Sequence, residues 1–289
     1  MLDPTYRAPD PEPRREPIFN IPRDLLLVMA VLVAIHGLRQ IIPQDWDDAI
    51  LLRLAFEPGT ITYAFDPARV TRAVQALSSE GAAGLAQAQW ARFILQDYGL
   101  QPWTVLTYGL LHASWAHVGL NLLWLLAFGA PVARRLGTPR LILFLCGGSL
   151  AGALAHYLTH WLDLQPVIGA SAAVSACMGA VLRFVFQPRL PVSSLIGLSD
   201  PARDVAARQP LVSLGAMVRD RRAVTFLIAW FATNLLFGIG AISAGLTGGA
   251  VAWQAHIGGF LFGLLALPLF DRPAQVVPPA LDGPDPEPG

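Results

Sequence analysis

Most of the reactive side chains in the apolar runs of this 289-residue chain are histidine, serine or asparagine, and their spacing is not random. His117 and Asn121 are four residues apart and share one face of a helix. His112 lies just before that run. Ser171 follows Gly169-Ala170 at the start of another apolar run, where the first N–H groups of a helix have no partner within it. His256 stands ahead of Gly258, Gly259 and Gly263 in a third run. A serine bonded to an imidazole is the smallest activated nucleophile: the imidazole takes the hydroxyl proton and later delivers it to a leaving amine. The Ser171 N–H and the His117 and Asn121 side chains are the kind of donors that stabilise an oxyanion.

This chemistry requires Ser171 and His256 to meet, and small residues supply the means. Gly259 and Gly263 form a GxxxG pair, which lets two helices approach closely. Ala172, Ala176 and Ala180 repeat every four residues after Ser171. Two such faces packed together would bring Ser171 within reach of His256. Ser175, one turn further along, is read as structural. Asn234, in another apolar run, is read as interhelical glue.

The surroundings are those of a membrane protein. The chain is 54% hydrophobic and 14% charged, against about 25% charged in a soluble domain. Its mean hydropathy is +0.49. A formal net charge of zero gives no reason to expect a nucleic-acid partner. Arginine supplies every basic side chain; with the abundant Ala, Gly and Pro, this fits a GC-rich bacterial genome. Cys146 and Cys177 fall in apolar runs and are read as small buried hydrophobes, not a disulfide.

Six runs come near the about 20 residues needed to cross a bilayer: 24–42, 113–131, 140–158, 166–186, 223–243 and 250–270. The expected fold is an all-α polytopic membrane protein over residues 21–272. The Pro- and charge-rich tails 1–20 and 273–289 are expected to be disordered. The first run follows Arg14, Arg15 and Arg23 and lacks a small-residue cleavage site, so it is read as a retained signal anchor. Arg134, Arg135 and Arg140 follow the second run, and six arginines lie between the fourth and fifth. The loops 159–165 and 244–249 have none, which places both termini in the cytoplasm. The long connection 43–112 is expected outside the membrane, with amphipathic helices near 67–78 and 84–97. Residues 102–112 form an interfacial, partly dipping element.

Three segments together resemble the rhomboid family of intramembrane serine proteases: HASWAHVGLN at 112–121, GASA at 169–172 and AHIGGFLFG at 255–263. Their order on the second, fourth and sixth runs is similar to the family's six-transmembrane-helix core. The resemblance covers roughly residues 100–272. It implies Ser171 as nucleophile, His256 as general base, and His117 and Asn121 as oxyanion stabilisers. His112 and Gly169 become accessory positions. It also implies cleavage of peptide bonds in or beside a substrate's transmembrane helix, in a bacterial inner membrane, with no metal or organic cofactor.

Four positions depart from the family pattern. Thr104, after Trp103, stands where the arginine of a Trp-Arg pair is usual, Ala133 where a Glu is frequent, and Ala172 where GxSG ends in glycine. Ser175 stands where an aromatic residue often stacks on the histidine. These departures keep open a second reading, a non-catalytic rhomboid-like protein that binds transmembrane helices. His156, His160 and Asp163 have a spacing that a metal site could use, but no H-E-x-x-H accompanies them. They are read as interfacial residues at a span end, as is His36. A transporter would show paired charges, broken helices or inverted repeats, and none is convincing here.

Overall fold

Proline and glycine punctuate the chain into helices whose apolar faces decide what packs against what. The computed structural model describes residues 21–186, 209–238 and 251–271. These residues are all-helical apart from turns and one isolated bridge between Phe56 and Val167. The protein is an integral membrane protein. Among the described residues, three helices are long and apolar enough to cross a bilayer: Trp115–Leu136 (α7), Thr138–His160 (α8) and Trp253–Phe270 (α11). Helix α1 (Arg23–Arg39) lies in the first expected span, and α10 (Arg221–Gly238) in the fifth. The remainder of the expected span 223–243 lies outside the described residues, as do both tails and residues 187–208 of the arginine-rich connection.

The fourth expected span differs from its prediction. Residues 166–186 do not form one continuous helix; α9 runs only over Ser171–Val181, 11 residues. The approach to it is extended, with Phe56 N donating to Val167 O at 3.0 Å and Val167 N to Phe56 O at 2.8 Å. Gly169 then takes φ +127°, a conformation that favours glycine and cannot continue a helix. Burial explains the short helix: every residue from Ala172 to Val181 is buried, so protein rather than lipid surrounds it. Irregular backbone at membrane depth is tolerated where it lines a cavity or is enclosed by protein.

Within α7 the helix widens into a π turn over Leu125–Gly129. Pro131 follows after Ala130; in a regular α-helix its ring would clash with the carbonyl four residues earlier, at Ala127, inside that turn. The apolar faces of the long helices look outward. Leu143, Leu150, Leu154 and Leu158 of α8 are all exposed, as are Leu261, Leu265 and Leu269 of α11. Cys146 joins this outward face, contrary to its expected burial, while Cys177 is buried.

The connection between α1 and α7 folds into helices. They are α2 (Gln44–Leu54), α3 (Pro58–Phe65), α4 (Pro67–Leu77), α5 (Gly81–Asp97) and the single turn α6 (Thr104–Thr107). Helices α4 and α5 occupy the two amphipathic stretches and bury Val70, Val74, Ala88, Ala91 and Ile94 together with Leu52 and Leu164. The last carbonyls of a helix lack intrahelical donors. At the end of α2 these are met by Gln101 Nε2 on Leu52 O, Trp103 Nε1 on Arg53 O and Thr107 Oγ1 on Leu54 O. This fastens the segment 101–110 beside the site.

Candidate active site

Helix α9 lies between α8 and α11, and absent side chains set the approach. A Cβ on Gly259 would overlap Ala172 O, and one on Gly263 would overlap Ala176 O. On the other side, Gly152 and Gly148 of α8 receive the methyls of Ala172 and Ala176. Ala172, which replaces the family's glycine, therefore has a glycine opposite it. The two small-residue faces of the sequence do pack together.

Their contact brings Ser171 Oγ to 2.7 Å from His256 Nε2. The far side of the ring is also held: His256 Nδ1 is 2.6 Å from Asn234 Oδ1 of α10. Asn234 Nδ2 donates to Trp230 O at 2.9 Å, and the Trp230 ring stacks on Phe260 of α11, centroids 4.1 Å apart. Asn234 does join two helices as glue, but its partner is His256. Position 234 is 22 residues from His256 on another helix, so spacing could not link them. The only sequence signal was an amide within an apolar helix.

Gly169 is tied into the site through its backbone, its N–H donating to Tyr108 O at 2.9 Å. Tyr108 is buried and its hydroxyl donates to Ser149 O at 2.8 Å. A Cβ on Gly169 would lie 2.9 Å from His117 Nε2 and 3.7 Å from Ser171 Oγ, so glycine keeps open the space between these two atoms. His117 is in the first turn of α7, where Ser114 Oγ caps its N–H at 3.1 Å. Its Nδ1 accepts from Ala113 N at 3.4 Å, which leaves the proton on Nε2, facing Gly169. Asn121 is buried and its Nδ2 donates to His117 O at 3.0 Å.

His112 lies behind His117. Its ring packs edge-on at 5.0 Å, it is buried, and it does not line the cavity. Its carbonyl accepts Arg39 Nη1 at 2.9 Å, and Arg39 pairs with Asp47 at 2.6 Å. His36 is likewise buried, edge-on to Trp115.

Ser171, His256, His117 and Asn121 open onto one cavity of about 640 Å³. His156, His160, Asp163 and Gln254 line the same cavity. The two histidines are stacked nearly parallel, centroids 4.5 Å apart. They stand in the last two turns of α8, the span end where the sequence placed them, and they also line the cavity that Ser171 opens onto. Among the described residues no three His, Cys, Asp or Glu side chains converge as metal ligands. Thr104 is buried, its Oγ1 donating to Gln101 O at 2.6 Å, and Ala133 is buried in the second half of α7.

The described residues thus form an all-helical membrane protein with a serine hydroxyl and an imidazole bonded at the wall of a cavity. The Rhomboid domain family model matches residues 99–272, and the chain belongs to the rhomboid family. It is 26% identical over 176 residues to Rhomboid protease GlpG of Pectobacterium atrosepticum, covering 61% of this chain and 51% of that protein. It is 32% identical over 95 residues to Rhomboid protease GluP of Bacillus subtilis, covering 33% of this chain and 18% of that one. Over 82 residues it is 37% identical to human Rhomboid-related protein 3, covering 28% and 20%. The matched part spans about half or less of each relative's own length.

Proposed function

We propose that this protein is an intramembrane serine endopeptidase that cleaves peptide bonds in or beside transmembrane helices of other membrane proteins. The observation that carries the reading is the 2.7 Å contact of Ser171 Oγ with His256 Nε2 at the wall of a cavity. Ser171 Oγ attacks the scissile carbonyl carbon while its proton passes to His256 Nε2. The C–N bond then breaks, and the amine leaves with that proton. An ester between Ser171 and the acyl half of the substrate remains. His256 next takes a proton from water, whose oxygen attacks the ester, and Ser171 regains its proton.

The oxyanion of each tetrahedral intermediate falls among the Ser171 N–H, His117 Nε2–H and the Asn121 amide. The first belongs to the free donors of a helix start. Asn121 Nδ2 gives one hydrogen to His117 O and has a second to offer. His112, packed on His117, acts as its support. Gly169 leaves the space in which the carbonyl oxygen sits.

In this reading α1, α7, α8, α9, α10 and α11 form a six-helix bundle in a bacterial inner membrane. Arg134 and Arg135 in the last turn of α7 and Arg140 in the first turn of α8 mark the cytoplasmic side, on which both termini lie. Short α9 leaves room above Ser171 for the water that hydrolysis consumes. A substrate helix must unwind to expose its backbone, which favours Gly, Ala, Ser or Pro near the outer face. It enters sideways past a mobile element, for which α10 and the cap over the cavity are the two candidates. A helix-binding protein without catalysis has no need of a bonded Ser171–His256 pair.

A fluorophosphonate serine probe on the detergent-purified protein tests this without a known substrate. Labelling is expected in the wild type and in Ser175→Ala, and is expected to vanish in Ser171→Ala and His256→Ala. Folded wild type that stays unlabelled, beside an active rhomboid protease that labels, would instead support the non-catalytic helix binder.

A further inference from the structure

We propose that Asn234 is a positioning residue that fixes the proton of His256 on Nδ1 and so leaves Nε2 free to accept from Ser171. This deepens the serine endopeptidase reading and rests on it. A neutral imidazole carries one proton, and which nitrogen holds it is decided by the partners of both. Asn234 offers the ring either its amide oxygen or its amide nitrogen. Trp230 O settles which, because a carbonyl only accepts: Nδ2 must point to it, at 2.9 Å. Oδ1 then faces His256 Nδ1 at 2.6 Å, and between these two atoms only the ring can donate. With the proton on Nδ1, Nε2 presents a lone pair to the Ser171 hydroxyl 2.7 Å away. A ring with the opposite tautomer would set two acceptors face to face at Asn234 and would put an N–H where the serine proton must go.

Asn234 itself is held firmly. It is 7% exposed, Trp230 one turn earlier anchors its amide, and the Trp230 ring is stacked on Phe260 at 4.1 Å. No aromatic ring stacks on His256 among the described residues, and Ser175 occupies the position from which one would. The ring is therefore oriented by hydrogen bonds at both nitrogens rather than by a neighbouring face.

The residue that orients the base also lies on a helix with a largely lipid-facing surface: Ile228, Phe231, Leu235 and Leu236 of α10 are exposed. Two of the contacts that seat α10 on α11 are the Trp230–Phe260 stack and the Asn234–His256 bond. Displacing α10 sideways removes the acceptor from Nδ1. The base is therefore fully set only while α10 is seated, which couples closure of this side of the bundle to the readiness of Ser171.

The test measures the rate of fluorophosphonate labelling of Ser171 in the full chain, in detergent, for wild type, Asn234→Leu and Asn234→Asp. Leucine keeps the volume and removes the acceptor; aspartate keeps an acceptor. Labelling is expected to fall about 10- to 100-fold in Asn234→Leu, up to the lower limit of the about 100- to 10,000-fold that a positioned base contributes, because the base is misoriented and not removed, and to recover most of that loss in Asn234→Asp. Selective ¹⁵N-histidine spectra are expected to give His256 as the Nδ1–H tautomer in the wild type and as a mixture in Asn234→Leu. Labelling of Asn234→Leu at the wild-type rate, or equal slowing of both variants, would overturn the proposal and leave the Ser171–His256 reading standing. If Asn234→Leu does not fold, the wild-type spectrum decides: a His256 protonated on Nε2 overturns the proposal. Wild type that does not label at all would overturn both.

Discussion

Gly259 of α11 lies so close to the carbonyl oxygen of Ala172, the residue after Ser171, that a Cβ at position 259 would overlap it. One turn on, Gly263 and Ala176 repeat the relationship. The distance between serine and imidazole is thus set by two missing side chains. Gly259→Ala is expected to cost at least the about 1–3 kcal/mol of an overpacked core, because the atoms it strikes are backbone and cannot swing away. Fluorophosphonate labelling of Ser171 should fall with it. Gly119→Ala, on α7 with nothing near its Cβ, is the control; it should match or exceed wild type in thermal unfolding. Wild-type stability and labelling in Gly259→Ala would refute the packing argument.

The same logic gives a paired prediction for α8 and α9. A Cβ on Gly152 meets the Ala172 methyl first, then Ala255 O at 2.9 Å and Tyr108 Oη at 3.0 Å. Gly152→Ala should destabilise by about 1–3 kcal/mol. Adding Ala172→Gly should return part of that loss, but not all, since two of the three contacts remain. A double-mutant cycle by thermal unfolding should therefore show coupling of about 0.5 kcal/mol or more. Strict additivity would mean the methyl of Ala172 is not what Gly152 accommodates.

Ser114 caps α7 at the N–H of His117. Ser114→Ala should lower stability by about 0.5–2 kcal/mol, and Ser114→Asp should restore most of it, because aspartate is an equally good cap. Since the capped N–H belongs to His117, labelling of Ser171 should slow in the alanine variant as well. Equal unfolding temperatures for Ser114→Ala and wild type would count against the cap.

Glu57, between α2 and α3, is 3% exposed, and its Oε1 finds no hydrogen-bond partner among the described residues. Burial pushes its carboxyl up from the usual range to about 8. The folded protein therefore holds a proton that the unfolded chain releases above about 4.5. Stability should be greatest below that pH, decline between about 4.5 and about 8, and level off above, by at most about 1.4 kcal/mol per pH unit. Glu57→Gln should remove this slope, so that it matches wild type near pH 4.5 and exceeds it at pH 8. Chemical unfolding across that range checks it; parallel curves for the two proteins would show that Glu57 does not titrate in the window.

The comparison of sequence with structure is clearest at Ser171. Its place at a helix start, the faces of Ala172 and Gly259, and the shared face of His117 and Asn121 follow from positions three or four apart on single helices. Such spacing survives folding because a helix fixes it locally. The apolar runs likewise marked the long helices, since a bilayer demands a minimum length. Other features had no local signature. Residues 166–186 read as a full span because hydropathy cannot tell lipid from buried protein; enclosure between α8 and α11 let α9 begin as late as Ser171. His156 and His160 do stand at the span end where the sequence placed them, but nothing in their spacing says which cavity they face. Asn234 read as glue because its partner lies on another helix. Periodicity along the chain is enough to assign residue types to each helix face. Which faces meet is settled only by packing, since contacts between helices depend on how side-chain volumes fit, and no period along the chain records that.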